Sequence, residues 1–450
     1  MSEHKSYQVA VIGSGAAGKE AAILAARNGL RVVLIEKDTL GGTTFDRGYY
    51  SVRAFRAAAE AAKESSQAGW PDWFSARKQV RAWLTQKLKN KLDKAGVEVR
   101  FGRGSLADAS TIRLEKASGE PELVGAEYII LATGSRPAFD GQHLGPNFVN
   151  SDQLLARMDL PKRLLIVGGG YLGCEFASIY RSLRCAVTLV EKRERLLPDW
   201  DEFIGTFIAR ALSSAGVTLH LGQELDLEHP GGTSEEPSFA LAGGVNISSD
   251  LVFAAIGRQP NIENLGLEQL GIAADPFIRV DDSLRTSSPK IFAIGDVNGL
   301  GLLDSVAVAQ ARVAVGAILG KKIPFSQRWV PRCVHTDPPV ASVGWTEEEA
   351  GRAGLSAVAY SETFHLVTDD EKSVVVPIQV RLKILAEAES RQILGLHAIG
   401  PHAAELVNTA AVAIKAGLTI EELSEITFVH PSLAETIQEC SPKLASLRAG

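Results

Sequence analysis

Apolar residues along this chain fall into short runs that recur in a fixed order. Residues 7–12 (Tyr-Gln-Val-Ala-Val-Ile) are β-branched and apolar without alternation, which predicts a strand buried on both faces. Gly13-Ser14-Gly15-Ala16-Ala17-Gly18 follows, and an Ala-rich stretch then predicts a helix to about Asn28, stopped by Gly29. Arg31 to Ile35 predicts a second strand, ending at Glu36.

The same succession returns 155 positions later, from Gly13 to Gly168 and from Glu36 to Glu191. Leu164 to Val167 predicts a strand, Gly168-Gly169-Gly170-Tyr171-Leu172-Gly173 a turn, and the residues to about Leu183 a helix. Ala186 to Val190 predicts the closing strand, and the acid stands 18 positions after the third glycine in both copies. A repeat of this kind predicts two dinucleotide-binding modules. A weaker repeat closes each one: Tyr128 to Pro137 matches Leu251 to Pro260, two strands that run into small-residue turns at Thr133-Gly134 and Ile256-Gly257.

Between Ala54 and Leu92 the pattern is mostly helical, with a break near Gly69-Trp70-Pro71. Ile291 to Ile294 predicts another buried strand, closed by Gly295-Asp296. From about Gln327 the texture changes to strands at Val375 to Ile384 and Ile393 to Ile399, mixed with helices at Ala403 to Ala416 and Ile420 to Glu425. The expected fold class is α/β, with two Rossmann-like dinucleotide-binding domains and a C-terminal α+β domain. The expected domains are 1–150 with 281–326, 151–280, and 327–450.

The chemistry of the glycine turns follows from their placement. In a G-x-G-x-x-G between strand and helix, the first glycine makes the tight turn and the second lets a pyrophosphate approach the backbone. The third lets helix and strand pack closely, and the helix N-terminus offers free N–H groups to the phosphates. The acid after the second strand accepts a ribose 2′-hydroxyl, so Glu191 favours NADH and repels the 2′-phosphate of NADPH. Lys192, Arg193 and Arg195 follow it and read as a solvated surface turn.

Composition narrows the rest. The chain has 450 residues, long enough for two to four domains. Its net charge of −6 argues against a nucleic-acid surface. No apolar run approaches the roughly 20 residues of a membrane span, and the polar start from Met1 to Tyr7 shows no signal peptide. The four cysteines, Cys174, Cys185, Cys333 and Cys440, form no CxxC or CxxxxC pair and no zinc-ligand spacing. A reducing cytoplasm is the expected home and no metal site is expected.

The ordered motifs resemble the flavoprotein disulfide reductases over nearly the whole chain, with dihydrolipoamide dehydrogenase the nearest in texture. They are the first glycine turn, Leu40-Gly41-Gly42-Thr43, Ala132-Thr133-Gly134, the second glycine turn, Ile294-Gly295-Asp296, Val343-Gly344-Trp345-Thr346-Glu347 and His430-Pro431-Ser432-Leu433-Ala434-Glu435. Two stretches carry the texture, Val187 to Glu202 and Ile393 to Leu406.

The resemblance implies that Gly13, Gly15, Gly18, Glu36 and Lys37 bind the ADP half of FAD, with Gly42 and Thr43 near the pyrophosphate, Thr133 and Gly134 beside it, and Asp296 on the ribityl chain. It implies that Gly168, Gly170, Gly173 and Glu191 bind NAD, that Gly257 is a further cofactor-binding residue, that Tyr171 gates the nicotinamide pocket, and that Glu175 forms an ion pair beside the flavin. On the same resemblance, 1–150 with 281–326 serves FAD, 151–280 NAD, and 327–450 dimerisation. It further implies a homodimer in which His430 and Glu435 of one subunit reach the flavin of the other.

One departure stands out. After Gly-Gly-Thr the family pattern is Cys, four residues, Cys, then one residue and Pro-Ser-Lys. Here Thr44 and Tyr49 occupy the cysteine positions, and Ser51, Val52 and Arg53 the Pro-Ser-Lys positions. Neither threonine nor tyrosine can form a thiolate or a mixed disulfide. Arg53 keeps the positive charge and can still pair with Glu175. Two roles stand open for His430 and Glu435: a proton carrier for a non-thiol acceptor, or an interface hydrogen bond. Tyr49 and Tyr50 either stack on a planar acceptor or plug the site. Asp46 and Arg47 lie in the same loop, where either contacts substrate or, as is commoner for loop charges, is solvated. Cys440 is the one cysteine near the His–Pro motif in sequence.

The first functional expectation is an FAD-dependent NADH oxidoreductase that passes electrons to a quinone, a pyridine nucleotide or another small oxidant. The second is a non-catalytic FAD- and NAD-binding protein that senses or scaffolds. The third is a dihydrolipoamide dehydrogenase-like enzyme to which a substrate or partner brings its own thiol.

Overall fold

The computed structural model describes residues 7–64, 73–157, 159–233, 236–242, 244–369 and 375–447. The chain divides into two compact units. Met1–Phe139 and Gly257–Gln327 make the first, and Asp140–Ile256 and Arg328–Gly450 the second.

In the first unit, strand Tyr7–Ile12 pairs in parallel with Val32–Glu36 on one side and Glu122–Leu131 on the other. Glu98–Phe101 extends the sheet beyond Val32–Glu36, and Ile291–Ala293 pairs with Glu122–Leu131. The central strands read as unbroken apolar runs because both their faces are covered: Val9, Val11, Leu34 and Ile130 face the helices, and Ala10, Val33 and Ile129 face the antiparallel strands that carry Leu106, Ile112 and Leu114. Helix Ala16–Arg27 packs on this sheet, together with Asp304–Ile318 and Trp73–Ala95.

Strand Glu122–Leu131 begins six residues before the expected Tyr128. Its first half pairs antiparallel with Thr111–Glu115, leaves one face to solvent, and so carries no continuous apolar run. The expected helical stretch is two helices, Tyr49–Glu64 and Trp73–Ala95. The break expected at Gly69-Trp70-Pro71 lies outside the described residues.

In the second unit, a five-stranded parallel sheet runs Thr218–Leu221, Ala186–Glu191, Arg163–Val167, Leu251–Ala254, Phe148–Val149. Helix Tyr171–Ser182 follows the second glycine turn, and helix Glu202–Ser214 is capped by Asp201, whose carboxylate accepts the Phe203 N–H at 3.0 Å. The C-terminal part is an antiparallel sheet, Arg332–Val334, Val340–Gly344, Ile393–Ile399, Val375–Glu387, Ala357–Asp369, with helices Ala403–Ala416 and Glu435–Ser446 packed against it. Strand Ala357–Asp369 was not foreseen; it pairs along its whole length with Val375–Glu387. The outcome is a mixed α/β fold with two Rossmann-like domains and a C-terminal α+β domain. No described helix is long and apolar enough to cross a membrane.

Candidate cofactor sites

The two glycine turns have the same construction. Gly13 and Gly168 hold φ of 102° and 108°, the left-handed region that only glycine enters freely, and so let the chain leave the strand and enter the helix at once. A Cβ on either would run into the carbonyl oxygen at the end of the neighbouring strand, that of Ala132 or Ala255. A Cβ on Gly18 or Gly173 would overlap the carbonyl oxygen of Gly13 or Gly168, so the third glycine is what lets helix and turn close together. The middle glycines differ. Gly15 and Gly170 would carry a Cβ into open space, with no atom within 4 Å. Each stands at the N-terminus of a twelve-residue helix that no side chain caps. The free N–H groups and the positive end of the helix dipole therefore face an open backbone surface, the cradle that a pyrophosphate fills.

The two acids return to these turns. Glu36 Oε2 accepts the Ser14 N–H at 2.9 Å and its hydroxyl at 2.5 Å, and Oε1 accepts the Asp38 N–H at 3.0 Å. Glu191 Oε2 accepts the Gly169 N–H at 2.5 Å and Oε1 the Arg193 N–H at 2.8 Å. Both carboxylates are buried, and backbone donors fix their direction. Lys37 is exposed just beyond the first strand pair. The cationic run after Glu191 is not all solvated turn: Arg195 donates to Glu348 at 2.6 Å and to the Pro198 and Trp200 carbonyls, whereas Arg193 is mostly exposed.

Further groups of the first unit gather around its turn. Gly42 sits so close to it that a Cβ there would lie 2.9 Å from Gly15 Cα, and Thr43 is its neighbour in the short helix Gly42–Asp46. Thr133 donates its hydroxyl to the Asn261 carbonyl at 2.8 Å, and Asn261 donates back to the Thr133 carbonyl at 2.9 Å. This clasp fixes the Thr133-Gly134 turn beside residues that follow Gly257. Gly257 belongs to the first unit. Asp296 accepts the Ser135 hydroxyl at 2.5 Å, and the Arg258 guanidinium lies 3.8 Å away. Burial holds the Asp296 carboxyl above its ordinary pKa, against the pull of Ser135 and Arg258.

Thr44 is buried and donates its hydroxyl to Asp304 at 2.9 Å. Tyr49 opens the next helix, 40% exposed, and its hydroxyl accepts from Arg53 at 2.7 Å. Its ring meets that of Tyr50 edge-on at 5.4 Å. Asp46 is not a solvated loop charge: it ends the helix Gly42–Asp46 and pairs with Arg81 at 2.7 Å, and with Arg47 and Arg77, whereas Arg47 is exposed just beyond that helix.

In the second unit Tyr171 begins the helix after the glycine turn, and Glu175, one turn on, is buried and accepts the His335 N–H at 2.7 Å. His430 Nδ1 lies 2.9 Å from Glu435 Oε1, and the Ser432 N–H holds the other carboxylate oxygen at 2.8 Å. The Ser432 N–H and then His430 keep Glu435 below the usual carboxylate range. The imidazole itself is 85% exposed on this chain.

All four cysteines belong to the second unit and none is disulfide-bonded. Burial pushes the Cys185 thiol up to about 11 and the Cys440 thiol up to about 12, and raises Cys174 further. Cys440 is fully buried inside the C-terminal core, so its nearness to His430 in sequence gives it no reactive position.

Sequence reasoning missed Ser14, Asn261, Ser135, Arg258 and Asp304. Ser14 lies inside the glycine motif and was legible as a donor beside the acid. The others meet their partners only through strand pairing and the return of the chain.

Residues 7–317 match the pyridine nucleotide-disulphide oxidoreductase family, and residues 330–441 match its dimerisation domain. Dihydrolipoyl dehydrogenase of Chlorobaculum tepidum is 34% identical over 97% of this chain and 96% of its own. That of Pseudomonas aeruginosa is 31% identical over 100% and 98%. Among solved structures, LpdA from Mycobacterium tuberculosis superimposes with a TM-score of 0.84 at 26% identity, covering 97% of this chain and 99% of that one. The copper complex of RclA, a flavoprotein disulfide reductase from Escherichia coli, gives 0.83 at 25%, covering 98% and 99%. Two uncapped helix ends over open glycine cradles, each with an oriented carboxylate, fit the FAD and NAD(H) that this family uses. The chain belongs to the pyridine nucleotide-disulphide oxidoreductase family and is an FAD-dependent oxidoreductase.

Proposed function

We propose that this protein is an FAD-dependent NADH oxidoreductase whose electron acceptor is not a disulfide. The observation that carries the reading is the segment after Gly42-Thr43, where Thr44 is tied to Asp304 and Tyr49 to Arg53 and no sulfur is present. Bound FAD supplies a two-electron centre that takes hydride from NADH and passes electrons onward.

The chain's own residues supply the rest. Gly13, Gly15 and Gly18 with Gly42 and Thr43 would cradle the FAD pyrophosphate, Glu36 would hold the ribose, and Asp296 the ribityl chain. Lys37, Thr133 and Gly134 would line the same site. Gly168, Gly170, Gly173 and Glu191 would hold NADH, with Tyr171 over the nicotinamide pocket. Glu191 presents a buried carboxylate, which suits a 2′-hydroxyl and disfavours NADPH. Arg53 and Glu175 retain the charges that the family sets beside the flavin. In a homodimer, which the dimerisation domain supports, the exposed His430 would be offered to the partner subunit. Glu435 would hold Nδ1–H and leave Nε2 free to exchange a proton with an acceptor.

The three thiols whose burial raises their pKa are held protonated, so they are poor nucleophiles. A small acceptor such as a quinone is favoured because it needs no sulfur partner. The test is to reduce the purified yellow protein with NADH under anaerobic conditions and to screen acceptors by the return of flavin absorbance, before and after thiol alkylation. Quinone turnover that survives alkylation supports the reading; turnover of dihydrolipoamide or lipoamide at comparable rates after alkylation contradicts it.

A further inference from the structure

Asp304 is the first residue of helix Asp304–Ile318, and three elements of the first unit converge on it. Thr44, from helix Gly42–Asp46, donates to its Oδ1 at 2.9 Å. Lys19, from helix Ala16–Arg27, acts on it as a positive charge, and Asp296, from the turn Gly295–Asn298, as a negative one. The Lys19 ammonium also lies 4.4 Å from the centroid of the buried Phe45 ring. Asp304 is exposed, while Thr44 and Phe45 beside it are buried. Its carboxyl is thus held by Thr44 and open to solvent.

The protonation of this cluster is unusual. Burial lifts the Asp304 carboxyl above its ordinary pKa, against the Thr44 hydrogen bond and Lys19, and Asp296 adds to the rise. Burial lowers Lys19. Helix N-termini favour an anion, and burial works against that preference here.

We propose that Asp304, oriented by the Thr44 hydroxyl, is the proton donor to the acceptor reduced at this segment. The proposal rests on the reading of a non-disulfide acceptor and specifies its chemistry: a two-electron oxidant that must take up a proton, of the quinone class. The step balances. One quinone carbonyl oxygen receives the Asp304 proton as the quinone receives the two electrons and the hydrogen that came from NADH. The product is the hydroquinone, NADH leaves as NAD+, and the Asp304 carboxylate recovers its proton from solvent. Thr44 is a positioning residue: its hydroxyl occupies Oδ1 and leaves Oδ2 to carry the proton.

The test compares two acceptors in the holoenzyme at matched flavin content: menadione, which needs protons, and ferricyanide, which takes an electron and none. Asp304→Asn is expected to lower the ratio of menadione to ferricyanide turnover by about a hundredfold or more, within the 10²–10⁴ range that a general acid contributes, and to flatten its pH profile. Asp304→Glu should restore the pH dependence with a displaced midpoint, and Thr44→Val should displace that midpoint while keeping the slope. An unchanged ratio and profile in Asp304→Asn overturns the proposal. If Asp304→Asn fails to hold flavin, the same ratio and profile in Asp304→Glu and Thr44→Val decide, and native values in both overturn it. A native protein that reduces neither acceptor but turns over lipoamide would overturn the broader reading instead.

Discussion

Lys383 donates to Asp201 across 2.8 Å, and the aspartate is wholly buried. The bond ties strand Val375–Glu387 to the N-terminus of helix Glu202–Ser214, within the second unit. Asp201 also accepts the Phe203 and Glu347 N–H groups at 3.0 and 2.9 Å, and Glu347 lies 2.6 Å from the Lys383 ammonium. Burial opposes both charges. His397, the Glu347 N–H and Lys383 still hold Asp201 below its ordinary pKa, and Asp201 and Glu347 hold Lys383 above its own.

Removing one partner of such a pair strands the other. Lys383→Met is expected to lower stability by about 3–5 kcal/mol. Replacing both residues by apolar ones of similar volume should cost less, because no lone buried charge is left. Denaturant unfolding of the holoprotein and the two variants checks the order.

His397 stands in the same cluster. Its Nδ1 lies 2.7 Å from the Ser342 hydroxyl, and its Nε2 lies 3.2 Å from the Trp345 carbonyl and 3.6 Å from Asp201. The carbonyl assigns the proton to Nε2, so Nδ1 accepts from Ser342. Burial, opposed by Asp201, pushes its pKa down to about 4. The unfolded chain would protonate near 6.5. Between these values the unfolded state binds the extra proton, so stability falls as pH drops from about 6.5 to 4. The full loss is on the order of 3 kcal/mol. His397→Gln should flatten this dependence, as read from unfolding midpoints across that range.

The parallel sheets were legible because a strand covered on both faces is an unbroken apolar run, as at 7–12 and 163–167. The glycine turns were legible because their constraints are local: Gly18 packs on Gly13, five residues away. What failed to show was long-range or half-exposed. Strand Ala357–Asp369 carries Ser361, Glu362, Thr363 and His365 among its apolar residues, and it is completed only by pairing with Val375–Glu387. Thr44 and Asp304 are 260 positions apart, and no local pattern announces their bond. Arg195 reads as one more surface cation until Glu348 is brought to it by the fold.

The turns also separate the two cofactors experimentally. A Cβ on Gly173 would overlap the Gly168 carbonyl oxygen, and backbone cannot yield as a flexible side chain does. Gly173→Ala is expected to weaken NADH binding by about tenfold to a hundredfold, consistent with the roughly 1–3 kcal/mol typical of overpacking, and to retain flavin. Gly18→Ala should instead reduce flavin content. Flavin absorbance per chain and the NADH concentration at half-maximal bleaching distinguish them.

Glu191 sets nucleotide choice in this account. Glu191→Ser removes the carboxylate next to Gly169 and leaves the exposed Arg193 nearby. The ratio of kcat/KM for NADPH to that for NADH should rise by about tenfold or more, as the loss of a like-charge clash worth more than 1.4 kcal/mol would give. Steady-state kinetics with both nucleotides and one fixed acceptor measures it.

The most direct measurement is an anaerobic titration of the pure holoprotein with NADH, followed by absorbance. A bound flavin without a neighbouring dithiol takes up one NADH equivalent per flavin, with no long-wavelength thiolate band. Uptake of two equivalents per flavin, with such a band appearing after the first, would show a redox-active sulfur pair and contradict the account.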